Sequence, residues 1–155
     1  MINIHEEGEE KINLPKRRKN MNSKVENQIK NMKNQTNGVE VKMNSNNKKK
    51  AAKKIAEYFG TRAWYANSEY GYSTWACKDQ SGRVWKFQRD CSIIGPDDEK
   101  CELVTPILHY EDIETLQEII RILRANGAKS DASRMCGVHI HIGANGHTPK
   151  TLRNL

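Results

Sequence analysis

Between Asn37 and Met43 the chain reads NGVEVKM, with Val39, Val41 and Met43 alternating against Glu40 and Lys42. Successive side chains of a strand leave on opposite faces, so this alternation predicts a strand with one apolar and one charged face. The period then lengthens. In NKKKAAKKIAEYFG the apolar positions Ala52, Ile55, Ala56 and Phe59 recur at helical spacing, and Gly60 follows as a helix terminator. Two aromatic-rich alternating runs, YSTWACKD and RVWKFQRD, share the turn DQSG and predict a hairpin. CELVTP reads as a further strand ended by Pro106. DIETLQEIIRILRANG is the clearest helix, with Ile113, Leu116, Ile119, Ile120 and Leu123 as its stripe and Gly127 beyond its end. GVHIHIG predicts a last strand, and HTPKTLRNL a last helix with Thr148 as N-cap and Pro149 in its first turn. This order predicts an α+β fold: a mainly antiparallel sheet with helices packed on one face.

The strand GVHIHIG raises a chemical question. Alternation sends Val138, Ile140 and Ile142 to one face, where they can pack in a core, and His139 and His141 to the other, roughly 7 Å apart. The pair is either a polar outer face of no special role or part of a metal or phosphate site. The other strands contribute to the second reading. Glu40 comes from the first strand, Asp90 and Ser92 from the end of the hairpin, and Glu102 from CELVTP. Three carboxylates and two imidazoles on one sheet surface suit divalent metal and phosphate, because magnesium takes carboxylate oxygens while it holds nucleotide phosphates.

Composition sharpens the boundaries. Residues 1–36 are rich in Asn, Lys and Glu and hold no aromatic side chain. Such a segment is expected to stay disordered outside the domain, since it cannot bury enough surface to offset its ordering entropy. Residues 37–155 are expected to form the domain. The formal net charge of +7 arises partly from LPKRRKN and KKKAAKK. Neither run interleaves aromatics with its cations, so nucleic acid is not the expected partner. The chain shows neither a secretory leader nor an apolar run able to cross a bilayer, and a cytoplasmic location is expected. Cys77, Cys91, Cys101 and Cys136 lack CxxC spacing and sit in apparent strands, which predicts small buried hydrophobes rather than disulfides or zinc ligands.

The blocks GVEV, AAKKIAEYFGT, CELVTPILHYEDIETL, LRANGA and CGVHIHIGANGHTPKTLRNL resemble the amidoligase enzymes. These are similar to the carboxylate–amine ligases that include glutamine synthetase and glutamate–cysteine ligase. The resemblance spans roughly residues 37–155 and implies a glutamine-synthetase-like catalytic domain. It further implies ATP and Mg2+ as cofactors, and a carboxylate activated as an acyl phosphate for attack by an amine. Glu40 and Glu102 would then be metal ligands with Asp90 a third. His139 would be a metal ligand, His141 a nucleotide or phosphate contact, and Glu40, Glu102 and His139 the catalytic set. Ser92 would lie on the cofactor side.

Two departures from the family pattern matter. The family's first strand carries a second acid where this chain has Lys42, which is expected to weaken a metal site or else to hold a phosphate as a point charge. The family's domain also continues past the histidine strand, so the domain is expected to be incomplete at its C-terminus. Three readings stay open. One is an ATP-dependent ligase, alone or completed by a second polypeptide that supplies a C-terminal half. Another is an inactive remnant that binds metal or a partner. The third is a zinc module built from His139, His141 and a carboxylate.

Overall fold

The computed structural model describes residues 16–144 and 146–153. The chain divides into two units, 1–33 and 34–155. The first contains α1 (Lys16–Lys33), a helix where the polar composition predicts no folded element. Its Lys, Arg, Glu and Gln residues are good helix formers, and neither glycine nor proline interrupts them. Lys30 and Lys33 in the last turn also complement the helix dipole. The expectation weighed burial alone and gave no weight to helix propensity. Residues 1–15 lie outside the described part.

The second unit is built on a six-stranded, wholly antiparallel sheet in the order β2-β3-β4-β5-β1-β6. The strands are β1 (Asn37–Met43), β2 (Trp64–Tyr65), β3 (Trp75–Lys78), β4 (Val84–Gln88), β5 (Cys101–Val104) and β6 (Val138–Ile142). The helices are α2 (Lys48–Phe59), α3 (Asn67–Tyr70), α4 (Ile113–Ala125) and α5 (Pro149–Leu152). The α+β class is as the patterning predicts. The two-residue strand β2 and the one-turn helix α3 lie below the length at which periodicity can be read.

Asn47 caps α2, its side chain accepting from the backbone N–H of Lys49 at 3.0 Å and of Lys50 at 3.3 Å. Gly60 ends the helix in the left-handed region at φ 67, where its N–H reaches the Ala56 and Glu57 carbonyls. Between these caps Ala51, Ala52, Ile55, Ala56 and Phe59 are buried. They pack with Ile119 and Leu123 of α4 against the sheet face formed by Val39, Met43, Cys77, Trp85, Phe87, Cys101 and Leu103. Lys48, on the buried side of α2, threads its stem past this core and donates from Nζ to the carbonyls of Asp97 and Lys100.

Two expectations need correction. Val138, Ile140 and Ile142 do not enter the core but are 57%, 64% and 58% exposed. Their alternation with the histidines holds; what it could not reveal is that β6 is an edge strand. The cysteines also divide. Cys77 and Cys101 are buried, Cys136 is half-buried, and Cys91 is exposed in the turn after β4; all four are free. No helix among the described residues is long and apolar enough to cross a membrane.

Candidate functional site

The register of β1 with its two neighbours assembles a polar face on the side of the sheet away from α2 and α4. Glu40 lies opposite Val104 on β5 and opposite His139 on β6; Gly38 lies opposite His141. Lys42, two residues along β1, lies opposite Glu102, which in turn lies opposite Gln88 on β4. Residues paired across antiparallel strands share a face, as do residues two apart on one strand. Pairing therefore brings the acid of β1, the acid of β5 and both histidines of β6 together.

Glu40 is the hub. Its Oε2 stands 3.3 Å from His139 Nδ1, and its Oε1 stands 3.4 Å from His141 Nε2. Glu40, Glu102 and His139 each direct one ligand atom into a common space, with those atoms all within 4.8 Å of one another. Both histidines stay well exposed, while Glu102 is 5% exposed. Burial pushes the Glu102 carboxyl above its ordinary range, and the Asp90 and Glu40 charges push the same way against a hydrogen bond from Gln88. Gln88 Nε2 donates to Glu102 Oε2 at 3.1 Å. Sequence reading passed over Gln88, although its place two residues before Asp90 puts it on the polar face.

A second group lies beside the first. Lys42 Nζ donates to Asp90 Oδ2 at 2.8 Å and to Ser92 Oγ at 2.9 Å. The Ser92 backbone N–H donates to Asp90 Oδ1 at 2.7 Å, so both carboxylate oxygens are engaged. Burial works against the Asp90 charge, but the hydrogen bonds from Lys42 and Ser92 outweigh it and bring this carboxyl down to about 2. Asp90 holds Lys42 protonated in return. Of the residues singled out from sequence, Glu40, Glu102 and His139 thus converge, His141 touches their hub, and Asp90, Lys42 and Ser92 form an adjoining cluster.

Past the histidines the chain approaches β1 closely. Gly143 donates from its N–H to the Thr36 carbonyl at 2.8 Å. A Cβ at position 143 would run into the Thr36 hydroxyl, so a larger residue here requires the Thr36 side chain to turn away and its carbonyl to give by a few tenths of an ångström.

The chain is therefore an α+β protein whose antiparallel sheet carries a carboxylate–imidazole centre on its face opposite the main helices. Residues 33–155 match the model of a family described as "Putative amidoligase enzyme". The chain belongs to that family, which carries a ligase-type function in general terms. Neither a curated protein nor a solved structure gives a match.

Proposed function

We propose that this protein is an ATP- and Mg2+-dependent carboxylate–amine ligase, or the part of one that holds its metal. One observation carries this reading: Glu40, Glu102 and His139 meet within 4.8 Å in a chain of the amidoligase family. A carboxylate oxygen of the substrate attacks the γ-phosphorus of ATP, releasing ADP and leaving an acyl phosphate. The amine nitrogen then attacks the acyl carbon, phosphate departs, and the nitrogen loses a proton to give the amide.

The donor set fits a divalent cation. Two carboxylates are hard oxygen ligands of the kind magnesium takes, and one imidazole extends the site to manganese and zinc. Such an ion, held by Glu40, Glu102 and His139, would supply positive charge against the phosphoryl oxygens. Gln88 keeps the Glu102 carboxylate turned toward the site. His141, exposed beside Glu40, is available to a phosphate or nucleotide, and the Lys42 ammonium presents a fixed cation on the same face. The partners are a small-molecule or peptide carboxylate and an amine, with a second polypeptide able to supply further site residues. Action in the cytoplasm suits four free cysteines.

A second reading, an inactive member that binds metal or a partner, is favoured by the Lys42–Asp90 pair, because it engages a carboxylate otherwise available to a metal. The test is release of ADP by the purified chain with Mg2+, ATP, a carboxylate and an amine. Turnover of about 1 per second or faster that is abolished by Glu40→Gln establishes the ligase. No release, with metal still bound, establishes the second reading.

A further inference from the structure

On the polar face, the carboxylates of Glu40, Asp90 and Glu102 gather around the ammonium of Lys42. Ionised, they leave two formal negative charges, which one divalent cation neutralises. Two further lysines lie on this face, Lys78 opposite Val84 and Lys86 opposite Val104, and Lys86 places its Nζ 4.4 Å from the centroid of the Tyr70 ring. The Lys42 ammonium is not a loose surface charge. Its side chain is 14% exposed, and it is fixed by Asp90 and Ser92 together. Asp90 is fixed in return, with one oxygen on Lys42 and the other on the Ser92 backbone. Among the described residues, the Glu102 carboxylate by contrast has Gln88 as its one hydrogen-bond donor, and that donor touches Oε2 alone. One carboxylate is committed to a lysine, while Glu40, set between the two histidines, and Glu102 bring ligand atoms together with one of His139.

We infer that Lys42 makes this face a single-ion centre, withholding Asp90 from coordination and supplying in fixed form the positive charge that a second divalent ion would bring. The inference rests on the metal-centre reading above and refines it. A second ion beside the first would have to displace the ammonium from Asp90, and the two like charges would repel across a short, partly desolvated distance. Lys42 thereby acts as a positioning residue. It fixes how many ions the face accepts and keeps one cation in place even when the exchangeable ion leaves. A ligand phosphate arriving on this face then meets an ion on the Glu40 side and an ammonium on the Asp90 side.

Titration of the full chain with Mn2+, followed by electron paramagnetic resonance, counts the ions. The expected result is one Mn2+ per chain for the wild type and two for Lys42→Glu. Asp90→Asn added to Lys42→Glu should remove the second ion, because it takes away the carboxylate that Lys42 withholds. Lys42→Met guards against a Lys42→Glu chain that does not fold: loss of the ammonium should tighten the first ion about tenfold. Two ions in the wild type, a single ion in a folded Lys42→Glu chain, or unchanged affinity in a folded Lys42→Met chain would overturn the inference and leave the metal centre standing. No Mn2+ bound by any of these proteins would overturn the metal centre itself.

Discussion

Asp79 lies under the β3–β4 turn and is the buried acid on which the hairpin and α4 both depend. Its Oδ1 accepts from the backbone N–H of Ser81 at 3.0 Å and of Arg83 at 2.9 Å. Its Oδ2 accepts from Arg83 Nε at 2.8 Å and from Trp85 Nε1 at 3.2 Å. Arg83 then grips Asp112 at the start of α4 with both terminal nitrogens, each at 2.8 Å. Asp79→Ala strands the indole N–H of Trp85, a fully buried side chain, and two backbone N–H groups. A donor left buried without an acceptor costs about 1–3 kcal/mol, and breaking a buried ion pair costs about 3–5 kcal/mol. Arg83 retains Asp112, so its charge is not orphaned, and the sum is held to about 3 kcal/mol. For a folded unit of this size that loss lowers the melting temperature by about 10 °C. Urea denaturation and thermal circular dichroism measure it. Asp79→Asn keeps acceptor capacity for the turn and should lose about half as much. A loss under about 1 kcal/mol for Asp79→Ala is what an exposed ion pair gives, and would refute the view that this network ties the hairpin to α4.

The Lys42–Asp90 pair sets an acid limb to stability. Because the Asp90 carboxyl falls to about 2 in the folded chain, folding favours its ionised form. Its contribution is therefore present above a pH of about 4 and is lost as pH falls toward about 2. The raised Glu102 carboxyl acts oppositely, since burial favours its protonated form, so Asp90→Asn should flatten the acid limb in a stability-versus-pH series. Thiol labelling should proceed fastest at exposed Cys91, and Cys77 and Cys101, whose thiols burial pushes up to about 12, should react only on unfolding. Mass spectrometry of a quenched time course locates the label. Ile119→Ala, at a side chain fully buried between α4 and the sheet, should cost about 3 kcal/mol in urea denaturation.

Much of this fold is legible because its elements announce themselves twice. α2 has both an apolar stripe and a terminator at Gly60, and its observed span agrees with both; sequence reading passed over the Asn47 cap. β1 spans Asn37–Met43, as its alternation predicts. The same alternation places Glu40, Lys42, Glu102 and the two histidines on one face. What it could not supply is pairing. The contact of Lys42 with Asp90 depends on β4 and β1 flanking β5, an order no local pattern encodes. The exposure of Ile140 follows from the same order, because an edge strand and an inner strand alternate alike. The helix at Lys16–Lys33 escaped notice for a different reason: helix propensity can act where no apolar face is buried.

The account rests on Glu102 being a metal ligand rather than an acid buried by chance. Glu102→Gln keeps the size of the side chain and removes its charge, and circular dichroism reports whether the fold survives. Mn2+ binding to the wild-type and Glu102→Gln chains, measured by isothermal titration calorimetry at neutral pH, is the most direct test. The account predicts a weakening of about tenfold or more in a folded variant. Equal affinity in the two chains would contradict it.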